Sequence, residues 1–219
     1  LIIAIDEGYV DTVKLLLSIP GINPSLCNSK SQTPLISSIY NLNLDIFNLI
    51  LDFYGENIES TKWQLDSSLI AFLGIISGEI KISHPYFPDE SSCIGYSSDY
   101  NPEIKKKKKK DLIFSIIKRF VQIKNIDLNC RSKKYSLLSY ACKTNEIEIV
   151  SMLINSDQID VNTQETVNGK TPLMISIENK NTEIAKLLIK SSKTNINIRN
   201  YNKKTALIFA VDYKLEEIV

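Results

Sequence analysis

The 219-residue sequence predicts an all-α solenoid of stacked helix–turn–helix units joined by short β-hairpin connectors. Three observations carry that prediction. A triplet recurs at a period of about 34 residues: Thr33-Pro34-Leu35, Ser136-Leu137-Leu138, Thr171-Pro172-Leu173 and Thr205-Ala206-Leu207, with Leu1 in the same leucine register. A second apolar column, with Thr12, Ile46, Ile149, Ile184 and Ile218, keeps step with these leucines. The segments that follow this column carry apolar residues at helical spacing over a stripe too wide for a helix packed on one side only.

Each element has a local reason. Thr33 and Thr171 can cap a helix by accepting a backbone N–H, and Pro34 and Pro172 belong at the first helical position, where a missing N–H costs nothing. The short first helix ends at Gly8, Asn145 or its equivalent, residue types that tolerate left-handed backbone. The second helix follows, as Glu148-Ile149-Val150-Ser151-Met152-Leu153-Ile154 or Glu183-Ile184-Ala185-Lys186-Leu187-Leu188-Ile189. A polar connector comes next: Asp127-Leu128-Asn129, Asp160-Val161-Asn162 and Asn195-Ile196-Asn197. It leads into a turn such as Asn168-Gly169-Lys170, where glycine supplies the positive φ of a hairpin. No single unit of this kind buries both its faces, so stability must come from stacking.

These motifs give the chain a family likeness: it resembles the ankyrin-repeat proteins. Their pattern of D-V-N, a glycine turn, T-P-L-x-x-A and G-x-x-E-I-V-x-L-L is followed nearly throughout from Asp160 to Ile189, and its first half returns from Thr205 to Val219. The family's histidine after T-P-L is replaced by Ile2, Ile36, Ser139, Met174 and Ile208. The resemblance covers a single array over 1–219 of about five to six repeats, the terminal ones truncated, as in a fragment of a longer protein.

The pattern is weakest between Ile46 and Ile113. Ser67-Ser68-Leu69 falls in the triplet register and predicts a first helix running to Ile76, while Pro85 and Pro88 break the register of the next. Asp111 to Ile123 makes a better second helix, with Ile113, Phe114, Ile116, Ile117 and Phe120 on one face. The stretch reads as a third repeat carrying a loop insertion over about 78–108, with two degenerate repeats as the alternative.

Composition points away from several function classes. Lys and Arg number 26 against 25 Asp and Glu, a net charge of +1, so there is no chain-wide basic footprint for nucleic acid. The longest apolar stretch, Leu69–Ile76, is far short of a bilayer span of roughly 20 residues. His84 is the only histidine, and Cys27, Cys93, Cys130 and Cys142 form no CxxC pair, which excludes the usual zinc sites. The glycines form no phosphate cradle and no nucleophile elbow. His84 beside Asp89 and Glu90 has no nucleophile at a defined spacing, and Cys142, next to the small-residue column at Ala141, reads as packing. The reading is a non-enzyme with no cofactor and no metal. The Lys105–Lys110 run has the form of a nuclear-import signal or a phosphate-binding patch, but without interleaved aromatics it reads as a solvated stretch ahead of a helix.

The resulting expectation is a monomeric, intracellular, cytoplasmic scaffold that binds a partner protein through its hairpin tips and the exposed, concave side of the first helices. The alternative is a regulatory or targeting arm of a larger enzyme. Counting back from each triplet places Ser29, Lys30 and Gln32 in one tip and Ser132, Lys133 and Tyr135 in a second. Val167, Asn168 and Lys170 fall in a third, and Tyr201, Asn202 and Lys204 in a fourth. Lysine recurs in all four, which predicts a basic strip facing an acidic surface, with the tyrosines adding apolar contact.

Overall fold

In a computed structural model the described residues are 1–24, 26–29, 32–41, 43–55, 58–76, 102–123, 126–132 and 134–218. Eleven helices span them: α1 (Ile2–Asp6), α2 (Val10–Leu17), α3 (Pro34–Tyr40), α4 (Leu44–Gly55), α5 (Ile58–Ile76), α6 (Pro102–Gln122), α7 (Leu137–Thr144), α8 (Ile147–Ile154), α9 (Pro172–Glu178), α10 (Thr182–Lys190) and α11 (Ala206–Asp212). They fall into two compact units, Leu1–Ile126 and Asp127–Val219.

The capping logic read from the triplets holds for three helices. The Thr33, Ser136 and Thr171 hydroxyls accept from the N–H groups of Ile36, Ser139 and Met174 at 3.2, 3.2 and 3.3 Å. Thr205 makes no such bond. The far ends of the first helices share a closure in which the chain turns through a left-handed residue: Gly8 (φ 75°), Asn145 (φ 60°), Lys180 (φ 58°) and Lys214 (φ 55°). The N–H of the next residue then reaches back five residues, as in Tyr9 to Ala4 O, Glu146 to Ala141 O, Asn181 to Ser176 O and Leu215 to Ala210 O, at 2.8 to 3.0 Å. Glycine meets this requirement without strain. The two lysines take it because the repeat register demands it there.

In unit Asp127–Val219 the first helices α7, α9 and α11 lie side by side, each second helix packing on the first helix of its own repeat and α8 on α10. The middle helix shows what stacking does. Every residue from Pro172 to Ile177 is buried, because α9 has a neighbour on each side. In α11 the same positions are half open: Leu207 is 55% exposed, although it occupies the column of Leu173, which is 2% exposed.

The connectors supply polar joints between repeats. Asp127, Asp160 and Asn195 each accept the N–H two residues on, at 3.0, 2.9 and 3.0 Å, closing a local turn. The third residue of the motif reaches the next repeat. Asn129 donates to Gln158 O at 2.8 Å and accepts from Asp160 N–H at 2.7 Å; Asn162 donates to Lys193 O at 2.9 Å and accepts from Asn195 N–H at 2.7 Å. Between these polar residues Leu128 and Val161 point inward and are buried.

In unit Leu1–Ile126, α3 packs on both α1 and α5, while α4 packs on α2 and α6. Helix α5 differs from expectation, starting at Ile58 rather than at Ser67. No proline or glycine interrupts residues 58–66, so nothing stops the helix before the triplet register. Its Leu65, Leu69, Phe72 and Leu73 are buried on one stripe. Phe120 of α6 meets Phe47 of α4 edge-on at 5.5 Å and Phe72 of α5 at 6.2 Å, and Arg119 pairs with Asp52 across α4 and α6. Helix α6 begins at Pro102, so Lys105–Lys110 belong to it and do not precede it. Lysine is a good helix former and proline suits the first helical position, which together extend the helix N-terminally. Of the expected insertion over 78–108, residues 102–108 are therefore helical, and the remainder lies outside the described residues.

Two stability predictions follow from the stacking. Leu173→Ala removes a side chain held between repeats and should cost about 2–5 kcal/mol in denaturant unfolding, whereas Leu207→Ala at the equivalent open position should stay within about 0.5 kcal/mol. Asn162→Ala cuts both bonds of one joint and should cost about 1–3 kcal/mol. An Asn162→Ala chain that unfolds at the native denaturant midpoint would show that this joint adds nothing to stacking.

Candidate protein-interaction surface

Each hairpin is closed by its own backbone before any side chain is presented. In the first tip Asn28 N–H donates to Gln32 O, and the Asn28 side chain holds both Gln32 N–H and Gln32 Oε1, at 2.9 to 3.0 Å. In the second, Ser132 N–H donates to Tyr135 O at 3.1 Å and the Ser132 hydroxyl accepts from Tyr135 N–H at 3.3 Å. The third closes through Glu165 N–H to Lys170 O, with Gly169 at φ 68°. The fourth closes through Asn200 N–H to Lys204 O, with Lys203 at φ 60° in the place of that glycine.

The third and fourth hairpins are also locked to one another. Tyr201 N–H donates to Asn168 O at 3.0 Å, and the Gln164 side-chain amide donates to both Gly169 O and Arg199 O at 2.6 and 3.0 Å. The Tyr201 ring lies so close over Gly169 that a Cβ there would sit 2.5 Å from it. That close approach is a second reason for glycine at this position, beyond its left-handed backbone.

Against this frame the predicted contact residues divide. Ser29, Val167, Asn168, Tyr201, Asn202 and Lys204 are exposed, with Val167 54% and Tyr201 63% accessible. Gln32, Tyr135 and Lys170 are half-buried. Ser132 is buried and serves the turn, so it presents no side chain to a partner. Lys30 and Lys133 lie outside the described residues.

The predicted basic strip needs correction at two of its lysines. Lys170 Nζ is held by both carboxylate oxygens of Glu178 at 2.8 Å and lies 6.0 Å from the Phe209 ring centroid. Lys204 Nζ pairs with Asp212 at 2.6 Å. Both lysines sit at the foot of a hairpin, and both carboxylates sit at the C-terminal end of the first helix that follows. The second tip fills the same two positions differently: Tyr135 at the hairpin foot and Lys143 on α7, with Lys143 Nζ 4.6 Å from the Tyr135 ring centroid.

Counting back from the triplets could not find Lys143, Glu178 and Asp212, which lie forward of them. An eight-residue spacing common to Tyr135/Lys143, Lys170/Glu178 and Lys204/Asp212 was present in the sequence as their signal. Tyr213 joins the group, its ring stacked on Phe209 at 6.2 Å and its hydroxyl 3.3 Å from a Glu178 oxygen. Loss of water first, then the negative charge of Glu178, raises its phenol above the ordinary tyrosine range.

Other candidate chemistry is quiet or out of view. Cys142 is fully buried, and burial pushes its thiol well above the usual range, so it carries no thiolate near neutral pH. His84 and Cys93 lie outside the described residues. Among the described residues no group of three or more His, Cys, Asp or Glu side chains could hold a metal ion, and no helix is long and apolar enough to cross a membrane.

Comparison with known proteins agrees with this geometry. A family model described as ankyrin repeats (3 copies) matches residues 107–200 and 158–219. The chain belongs to the ankyrin-repeat family. A crystal structure of EF0377, an ankyrin repeat protein, is similar to it at a TM-score of 0.60 and 17% identity, over 98% of this chain and 92% of that one. A chain in the complex of the Bd0816 predatory endopeptidase of Bdellovibrio bacteriovorus with immunity protein Bd3460 is similar at a TM-score of 0.57 and 16% identity, over 98% and 92%. No curated protein matches. The stacked first helices, the hairpins and the T-P-L columns of this chain are thus ankyrin features, and ankyrin repeats are generally protein–protein interaction modules.

The packing of hairpin on hairpin can be tested at Gly169. Gly169→Ala should destabilise the chain by about 1–2 kcal/mol through left-handed strain alone, and more where the Tyr201 ring must move. In a Tyr201→Ala background the steric part should vanish and only the backbone part remain. Equal costs in the two backgrounds, measured by thermal unfolding, would show that the ring does not press on Gly169.

Proposed function

We propose that this chain is a non-catalytic ankyrin-repeat interaction module that binds a partner protein through its hairpin tips and the adjoining exposed side of its first helices. The observation that carries the reading is the pair Val167 and Tyr201. Both are large apolar side chains, more than half exposed, on neighbouring hairpins that backbone hydrogen bonds and the Tyr201–Gly169 contact hold in one arrangement. Rigid exposed aromatics lose little conformational entropy on binding and are common interface anchors. A structural neighbour belongs to a complex between an endopeptidase and an immunity protein, so a related architecture takes part in a protein complex there.

The internal pairing of Lys170 and Lys204 alters the expected character of the contact. With both ammonium groups answered in cis, these two lysines add no unpaired charge to the face, and Lys203 at the fourth hairpin remains an exposed cation beside the amide, aliphatic and aromatic groups. Binding there depends mainly on shape and apolar burial around Val167 and Tyr201, with a modest weakening by salt through Lys203.

Affinity capture from source cells, with mass spectrometric identification, tests the reading. The native chain should recover a protein that the Val167→Ala/Tyr201→Ala variant loses, while the variant stays folded and melts only slightly lower through loss of the Tyr201 ring's contact with Gly169. Equal recovery by the two would move the interaction away from these hairpins and overturn the proposal.

A further inference from the structure

We propose that Tyr135, Lys134 and Lys143 form an acceptor for an acidic side chain of the partner, a carboxylate that takes the place filled internally in the two repeats that follow. The inference rests on the reading of this face as the binding surface and names the chemistry of one contact on it.

The argument comes from register. The hairpin foot and the C-terminal end of the next first helix meet in every repeat of unit Asp127–Val219. In two of them a lysine and a carboxylate meet there and neutralise each other, as Lys170–Glu178 and Lys204–Asp212. In the remaining one the foot is Tyr135 and the helix position is Lys143, so a cation stands where a carboxylate stands in its neighbours.

A second ammonium comes in from the hairpin side. Lys134 Nζ is 5.8 Å and Lys143 Nζ 4.6 Å from the centroid of the same half-buried Tyr135 ring. Both lysines are exposed, and among the described residues neither has a carboxylate partner. The ring attracts both cations through its quadrupole but leaves their net charge in place. Two like charges gathered around one ring repel each other, and a carboxylate bound to Lys143 beside the ring would relieve that repulsion while gaining a charge-assisted hydrogen bond. The aromatic ring supplies an apolar floor for the methylene groups of a glutamate.

The test uses fluorescein-labelled hexaglutamate and fluorescence anisotropy at low salt with the full chain. Native protein should bind saturably. Lys143→Gln, an exposed change that spares the fold, should weaken binding about tenfold, the loss expected of one charge-assisted contact. The Tyr135→Lys/Lys143→Glu double variant, which copies the internal pair of the neighbouring repeats, should lose binding while melting no lower than native. A chain with Lys105–Lys110 all changed to Gln should keep it. The proposal is overturned if native protein does not bind, if Lys143→Gln binds as native does, or if binding disappears only with Lys105–Lys110. A cellular partner lost by Val167→Ala/Tyr201→Ala but retained by the Tyr135→Lys/Lys143→Glu chain would leave the binding face standing and remove the acidic contact.

Discussion

The structure depends on one constraint: a helix pair of this kind has apolar surface on two sides and can cover it only with copies of itself. Helix α9 is buried along its whole first stretch because α7 and α11 flank it, while α11, with the same pattern, leaves Leu207, Ile208 and Val211 open. Burial is thus a property of a residue's neighbours in the stack and not of its type. The recurrence of the leucine column is the sequence-level mark of that requirement, since a repeat that lost it would cease to cover the repeat beside it. In unit Leu1–Ile126 the same demand is met with less regular parts, the long α5 and α6 joined to α4 through Phe47, Phe72 and Phe120.

Apolar stacking alone would let repeats slide over one another, and the polar connectors oppose this. Asn129 and Asn162 each use one amide oxygen and one amide nitrogen on the next connector, a two-point contact with a defined register. Because the bonded groups are backbone N–H and C=O, the joint works whatever side chains the next repeat carries. That separation leaves the hairpin tips free to differ, and Val167 and Tyr201 occupy equivalent places with different chemistry.

Register also decides which charges reach solvent. A lysine at the foot of a hairpin is a free cation only if the first helix below it lacks a carboxylate at the facing position. Glu178 and Asp212 are those carboxylates, and they turn two of the apparent basic residues into parts of the frame. Lys143 in the corresponding place does the reverse and gathers positive charge around Tyr135. A count of lysines per tip therefore says little about the electrostatics of the face.

The sequence by itself determined the repeat, its period, the helix starts at Thr33, Ser136 and Thr171, and the left-handed stops at Gly8 and Asn145. All of these are local: a cap, a proline or a positive φ acts within a few residues and leaves its type in the chain. It also placed the hairpins, since they follow from the same register, although Tyr135, Lys170 and Lys204 stand at their feet. Only the tertiary structure decided which of those residues are available. Whether Ser132 is buried, whether Lys170 is answered by Glu178, and whether Tyr201 covers Gly169 depend on groups that folding brings from another turn or another repeat. The early start of α5 and α6 was hidden for a related reason: residues outside the repeat register carry no column to align, and helix there continues simply because nothing in Ile58–Asp66 or after Pro102 stops it.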